Sequence, residues 1–246
     1  MKYTEQSLSQ MKLSKNLDEN IQTVKDIFAG CYDFVARDFY INKGKTKCAI
    51  LYIDGTVNKQ EINDNILKPL MANKSLMPNF FNSIKDILDS IKKTGASISE
   101  IEEIDKMSGV VENLLNGFCV LLADGEEYAL TMSVVGYEQR KTGTAEVEPV
   151  LRGSVESFVE NLNLNTALLR RSLKTHSFKL EKLVVGRISK TNIAICYLDG
   201  IADNSVVEEL KERINRVDVD VILEGGYLEQ LITDQPLSPF PLMEYT

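Results

Sequence analysis

Histidine, paired cysteines and basic charge are all scarce in this chain. Its 246 residues hold one histidine, four cysteines and six prolines, and 36 acidic side chains outnumber 28 basic ones. A formal charge of -8 leaves no dense positive surface, which argues against broad nucleic-acid binding. His176 stands alone, and Cys31, Cys48, Cys119 and Cys196 form no C-x-x-C pair, which argues against a Cys/His zinc site. The motifs G-x-S-x-G, G-x-x-x-x-G-K-S/T, G-x-G-x-x-G and H-E-x-x-H are absent, so no catalytic constellation, metal or cofactor is expected. No segment approaches the roughly 18 consecutive apolar residues of a membrane helix. The first twenty residues lack the apolar core of a signal peptide. The expectation is a soluble chain in a reducing compartment, with Cys48, Cys119 and Cys196 acting as small core residues inside apolar runs.

What is present is ordinary globular material, 43% hydrophobic and 26% charged. Leu17, Ile21, Val24, Ile27 and Phe28 have helical spacing, with Asn16 or Ser14 available as a cap. Phe34 to Ile41 and Cys48 to Ile53 read as strands, the second ending in Asp54-Gly55. Helical patterns follow at about 60–71, 79–93 and 100–116, the last using Ile101, Ile104, Met107, Val111, Leu114 and Leu115. Two strand-like runs around Asp124-Gly125 signal a hairpin. Arg140 to Gly153 is polar with Gly and Pro and reads as a linker. Beyond it, Val155, Phe158, Val159, Leu162, Leu169 and Leu173 predict a long amphipathic helix. Strands at Phe178–Val185 and Ile193–Leu198 come next, then a helix at about 203–215. A short strand before Gly225-Gly226 and a helix at about 226–233 complete the pattern.

The main organisational signal is a repeat. KTKCAILYIDG (45–55) and KTNIAICYLDG (190–200) lie 145 residues apart and agree at seven of eleven positions. Each copy follows a helix and a strand and precedes a helix, which predicts a duplicated α/β unit. The expected fold class is α/β, with two related subdomains: 1–139, a linker at 140–153, and 154–246. Phe118 opens the hairpin 64 residues beyond Asp54, and its counterpart in the second copy would fall past Thr246, so the second subdomain is expected to lack its closing strands.

Several side chains are candidates for binding, each with a plainer reading beside it. Asp54 and Asp199 end apolar strands, where ligands of α/β sheets gather, yet Asp-Gly is also an ordinary turn dipeptide. Tyr52 and Tyr197 share a repeat position that lines a pocket or places a ring in the core with its hydroxyl at the edge. Arg170 and Arg171 suit either an anionic partner or the C-terminal end of a helix dipole. His176, in the loop Lys174 to Ser177, reads as a surface residue.

The second half also resembles a known family. LRGSVESFVENLNLNTALLRRSLKT (151–175) is similar to the Arg-Gly opening, acidic-aromatic stretch and Asn-x-x-Leu-x-Arg-Arg helix of spore germination receptor A subunits. GRISKTNIAICYLDGIAD and ILEGGYLEQLITDQPLSPFP resemble that family's following segments, although Asp199 stands where Glu is common. The resemblance implies the hydrophilic N-terminal region of a membrane protein of the spore inner membrane, on the cytoplasmic side. It would act with B and C subunits and other A subunits in nutrient-triggered germination. Candidate ligand or partner contacts are then Arg152, Glu156, Asn165, Arg170, Arg171, Asp54, Asp199 and Tyr197. Two functions stay open: assembly and signal relay between subunits, or a nutrient-binding module closing between two lobes. An enzyme is the weakest option.

Overall fold

The computed structural model describes residues 3–41, 46–71, 100–134, 136 and 158–234. They group into two compact units, Met1–Phe178 and Lys179–Thr246. The helix expected to open a second subdomain therefore belongs with the first unit. The expected linker at 140–153 and the helical pattern at 79–93 lie outside the described residues.

The first unit is built on a five-stranded sheet. Helix α1 (Glu5–Gln10) starts with a capping box in which the Thr4 and Ser7 side chains bond each other's backbone amides. Helix α2 (Leu17–Ile27) is capped by the Asn16 side chain, which accepts from the Asp18 and Glu19 amides. Strands β1 (Phe34–Ile41) and β2 (Thr46–Ile53) follow. A helical run then comprises α3 (Lys59–Glu61), a π-helical turn (Ile62–Leu67) and α4 (Lys68–Met71). Strand β3 (Ile101–Ile104), helix α5 (Met107–Leu115), strands β4 (Phe118–Ala123) and β5 (Ala129–Ser133), and helix α6 (Leu162–Ser172) complete the unit.

The sheet order is β1-β2-β4-β5-β3, and each pairing is antiparallel. The hairpin expected around Asp124-Gly125 is β4–β5. Alternation along the strands sends side chains to two covered faces. Cys48, Ile50, Cys119, Leu121, Leu130 and Met132 pack with Ile62, Ile66, Leu67 and Leu70. Ala49, Leu51, Ile53, Val120 and Leu122 pack under α1, α2 and α5. With both faces buried, β2 reads as a continuous apolar run; Cys48, Ala49, Ile50, Leu51 and Ile53 have no exposed surface.

Residues 101–104 correct the expected helix over 100–116. Ile101 and Ile104, three apart, would share one face of a helix. Here they reach opposite faces of the sheet's edge, Ile101 toward the first core and Ile104 toward the second. The same spacing serves a strand because both faces of this sheet are covered.

The second unit is smaller. Strands β6 (Phe178–Val185) and β7 (Thr191–Leu198) pair, and α7 (Asn204–Arg216) and α8 (Gly225–Ile232) follow. Its core holds Val185, Ile195, Ile214 and Ile222, with Ile193, Tyr197 and Leu210 packed against them. Two expectations fail here. Residues 217–223 form no strand; their backbone instead meets the 187–189 turn, where Arg187 donates to the Val219 carbonyl and Ile188 to that of Asp220. Cys196 is exposed, because it projects from a strand that buries mainly its other side.

The 145-residue offset extends well beyond the matching strands. Helices α2 and α6, strands β2 and β7, and the starts of α3 and α7 all coincide at that spacing, as do the capping residues Asn16 and Asn161 and Asn58 and Asp203. Gly55 and Gly200 turn the chain with φ of 85° and 84°, in the left-handed region that favours glycine.

Candidate functional site

Helix α6 carries the densest set of family-like residues, and its seat on the first unit is built from side chains distant in sequence. Asn161 caps it, accepting from the Asn163 and Leu164 amides. Asn165 brackets the incoming chain: its carbonyl oxygen accepts from the Val159 amide at 2.8 Å, and its amide donates to the Val159 carbonyl at 2.7 Å. Asn20 does the same for Ser14, at 2.9 and 2.6 Å, again 145 residues earlier. Phe158 and Val159 share the apolar spacing but lie outside the helix, which begins at Leu162. The role of Asn165 is thereby structural.

One face of α6 rests on the turn after β2. The Tyr32 hydroxyl meets the Thr166 hydroxyl at 3.1 Å, and a Cβ at Gly55 would stand 3.0 Å from that of Ala167. One turn further, Arg170 is fully buried. Its Nε and Nη2 donate to the two carboxylate oxygens of Asp33, each at 3.0 Å, and its Nη1 donates to the Phe178 carbonyl at 2.8 Å. The guanidinium also lies 5.0 Å from the Phe178 ring centre. Burial pushes the Asp33 carboxyl up from its ordinary value, and the adjacent guanidinium pulls against that shift. The Asp33 carbonyl accepts from the Asp54 amide at 2.7 Å, which links the clasp to the end of β2. Arg170 is thus neither a dipole-neutralising surface cation nor a group open to a partner.

Of the expected contacts, the structure gathers Asp54, Asn165, Arg170 and Arg171 around α6 in the first unit. Asp54 pairs with Lys59 at 2.7 Å beside a cavity of about 440 Å³ lined by Gly55, Asn58, Gln60, Asn163 and Leu164. Tyr197 and Asp199 belong to the second unit, where the Tyr197 hydroxyl donates to Glu181 at 2.6 Å and Lys211 reaches Glu181 at 2.8 Å. Burial and that bond push the Tyr197 hydroxyl up to about 12. Arg152 and Glu156 lie outside the described residues. His176 is buried and not a surface residue; its Nε2 lies 3.2 Å from the Tyr3 carbonyl, which only accepts, so that nitrogen carries the proton. Asp33 was missed by sequence reasoning. Its one local signal is a carboxylate set between Tyr32 and Phe34 at the mouth of a strand.

Among the described residues, no three His, Cys, Asp or Glu side chains converge as a metal site, and no helix is long and apolar enough to cross a membrane. A family profile described as Bacillus/Clostridium GerA spore germination protein matches residues 22–246. The chain belongs to the GerA family. It is 34% identical over 235 residues to the uncharacterized membrane protein YfkQ of Bacillus subtilis, covering 95% of this chain and 44% of that protein. It is 32% identical to spore germination protein KA of the same organism, covering 95% and 42%. The chain thus spans less than half the length of these relatives. Among solved structures, the N-terminal domain of the A subunit of the Bacillus megaterium spore germinant receptor GerK3 superposes with a TM-score of 0.69 at 31% identity, covering 94% of this chain and 83% of that one. The mixed α/β architecture of this GerA chain is therefore shared with an A-subunit N-terminal domain.

Proposed function

We propose that the chain is the N-terminal domain of a germinant receptor A subunit and works in subunit assembly and signal relay during spore germination. The full-length protein sits in the spore inner membrane with this domain on the cytoplasmic side, next to B and C subunits and other A subunits. The observation that carries the relay reading is the Arg170–Asp33 clasp. It joins α6, the start of β1 and the last residue of the first unit through three buried hydrogen bonds. A bidentate charged pair held away from water transmits position better than a mobile surface contact. Spores whose full-length receptor carries Arg170→Met should retain the A subunit in the inner membrane yet respond weakly to nutrient. Normal nutrient response with the altered subunit present would sink the relay reading.

The cavity beside Asp54 favours a second reading, nutrient binding within the domain. Thermal-shift titration of the 246-residue chain against amino acids, sugars and nucleosides separates the two. Saturable stabilisation by one compound, abolished in Asp54→Asn, supports binding, and a flat response across the panel removes it.

A further inference from the structure

A cavity of about 490 Å³ in the first unit shares no lining residue with the one beside Asp54. It is lined by α1, by α5 and by the segment that follows α6. Leu8, Val111 and Leu115 give it a buried apolar wall. Its charged groups are Glu5 of α1, Glu112 of α5 and Lys174. The Lys174 ammonium donates to the Asn116 Oδ1 at 3.0 Å. The Glu5 and Glu112 carboxylates have no hydrogen bond or ion pair among the described residues. The cavity also meets the C-terminal end of α5, the negative pole of its helix dipole. His176 adds the group that singles out a ligand. It is 8% exposed, and its Nε2 proton is committed to the Tyr3 carbonyl. In the neutral ring the Nδ1 is then an acceptor, and it has no partner among the described residues. Nor is it sealed in. Among the described residues the Thr131 hydroxyl alone is buried without a partner, so the Nδ1 opens onto the space that His176 lines.

We propose that this cavity binds a small organic ammonium, a primary amine carried on a compact apolar body. The ammonium donates to the His176 Nδ1 and pairs with the Glu5 and Glu112 carboxylates, and its hydrocarbon part lies against Leu8, Val111 and Leu115. Charge selects the class. Two carboxylates stand against one ammonium, and that ammonium already has a partner in Asn116, so an anion of the same size is repelled. An alcohol of the same shape reaches the acceptors but leaves both carboxylates without a cation. Residues 174–176 lie between Arg170 and Phe178 in the chain, so an occupied cavity ties the segment that leads into the clasp to α1 and α5. The site stands apart from the nutrient reading, whose ligand sits beside Asp54.

His176 is the single histidine of the chain, so its ring nitrogens give one unambiguous set of NMR signals. The 246-residue chain, labelled with nitrogen-15 histidine, is titrated in phosphate buffer at pH 8 with cyclohexylammonium, cyclohexanol and cyclohexanecarboxylate. Cyclohexylammonium should shift the Nδ1 signal saturably with a midpoint below about 10 mM, while the Nε2 signal, held by Tyr3, moves little. The alcohol and the carboxylate should leave both signals in place. Glu5→Gln/Glu112→Gln changes two exposed side chains and should weaken the amine about tenfold, as loss of a charge-assisted contact does. Four results would each overturn the proposal. Absence of a saturable shift means that no ammonium binds. An equal shift with cyclohexanol means that the cavity takes any apolar body. Unchanged affinity in the double variant means that the carboxylates play no part. A raised melting temperature with the His176 signals unmoved means that the amine binds elsewhere, the cavity beside Asp54 included.

Discussion

Removing the guanidinium of Arg170 exposes how the first unit is held together. In Arg170→Met the methionine fills much of the space, but the Asp33 carboxylate stays buried without its cation and the Phe178 carbonyl loses a donor. Breaking one side of a buried ion pair costs about 3–5 kcal/mol. That is a large share of the roughly 5–15 kcal/mol that stabilises a typical domain. Asp33→Asn should cost a similar amount by stranding the cation. The double variant Asp33→Leu/Arg170→Met should fall within about 2 kcal/mol of the parent, since an apolar pair avoids desolvating two charges. The deficit also depends on pH. The Asp33 carboxyl is already raised above 3.8 by burial, and loss of Arg170 raises it further. A raised carboxyl contributes stability below its unfolded value, and that contribution is lost as pH rises through the folded value. The Arg170→Met deficit should therefore grow as pH rises above the ordinary carboxylate range. Urea unfolding followed by far-UV circular dichroism reads it, since the chain has no tryptophan. A deficit below about 1 kcal/mol, or one independent of pH, would refute the reasoning.

Other outcomes follow from single side chains. The Thr131 hydroxyl is buried with no hydrogen-bond partner among the described residues, so Thr131→Val should stabilise the first unit by about 1 kcal/mol, and a loss of stability in denaturant titration would contradict this. Native-state thiol labelling at pH 8 should modify Cys196 fast and leave Cys31, Cys48 and Cys119 unreacted until urea is added. The last three are buried, and burial pushes the Cys48 thiol up to about 12. The raised Tyr197 hydroxyl should make the second unit less stable as pH climbs from about 10 to about 12, because the unfolded tyrosine ionises first; Tyr197→Phe should flatten that decline in thermal melts.

Much of the fold is legible in the residues because local signals agree with the tertiary outcome. Asn16, Asn58, Asn161 and Asp203 cap the helices that follow them, and the apolar run at 48–53 is a strand buried on both faces. Two of the errors share one cause: a spacing that two structures can use. Ile101 and Ile104 fit a helix face as well as two sides of a strand. Phe158 and Val159 continue the helical spacing of Leu162 to Leu173, yet they precede the helix, where Asn165 bonds both backbone groups of Val159. The candidate site was less legible. Arg170 was visible as a charged residue in a recognisable motif, but its partner Asp33 lies 137 residues away, and no local pattern reports a long-range ion pair. His176 fails for the same reason, since its partner, the Tyr3 carbonyl, lies 173 residues away.

The carbonyl of Phe178 has a mechanical consequence. It is the last acceptor of the first unit, gripped by the Arg170 guanidinium at 2.8 Å and by the Cys31 thiol at 3.5 Å. A load on the Phe178 backbone is shared between the covalent chain through Ser177 and this carbonyl. From there it passes through the guanidinium to Asp33, and through the Asp33 carbonyl to the Asp54 amide at the end of β2, an interior strand of the sheet. The route bypasses the backbone of α6. The last residue of the first unit is thus pinned to the interior of its sheet by side chains as well as by the backbone.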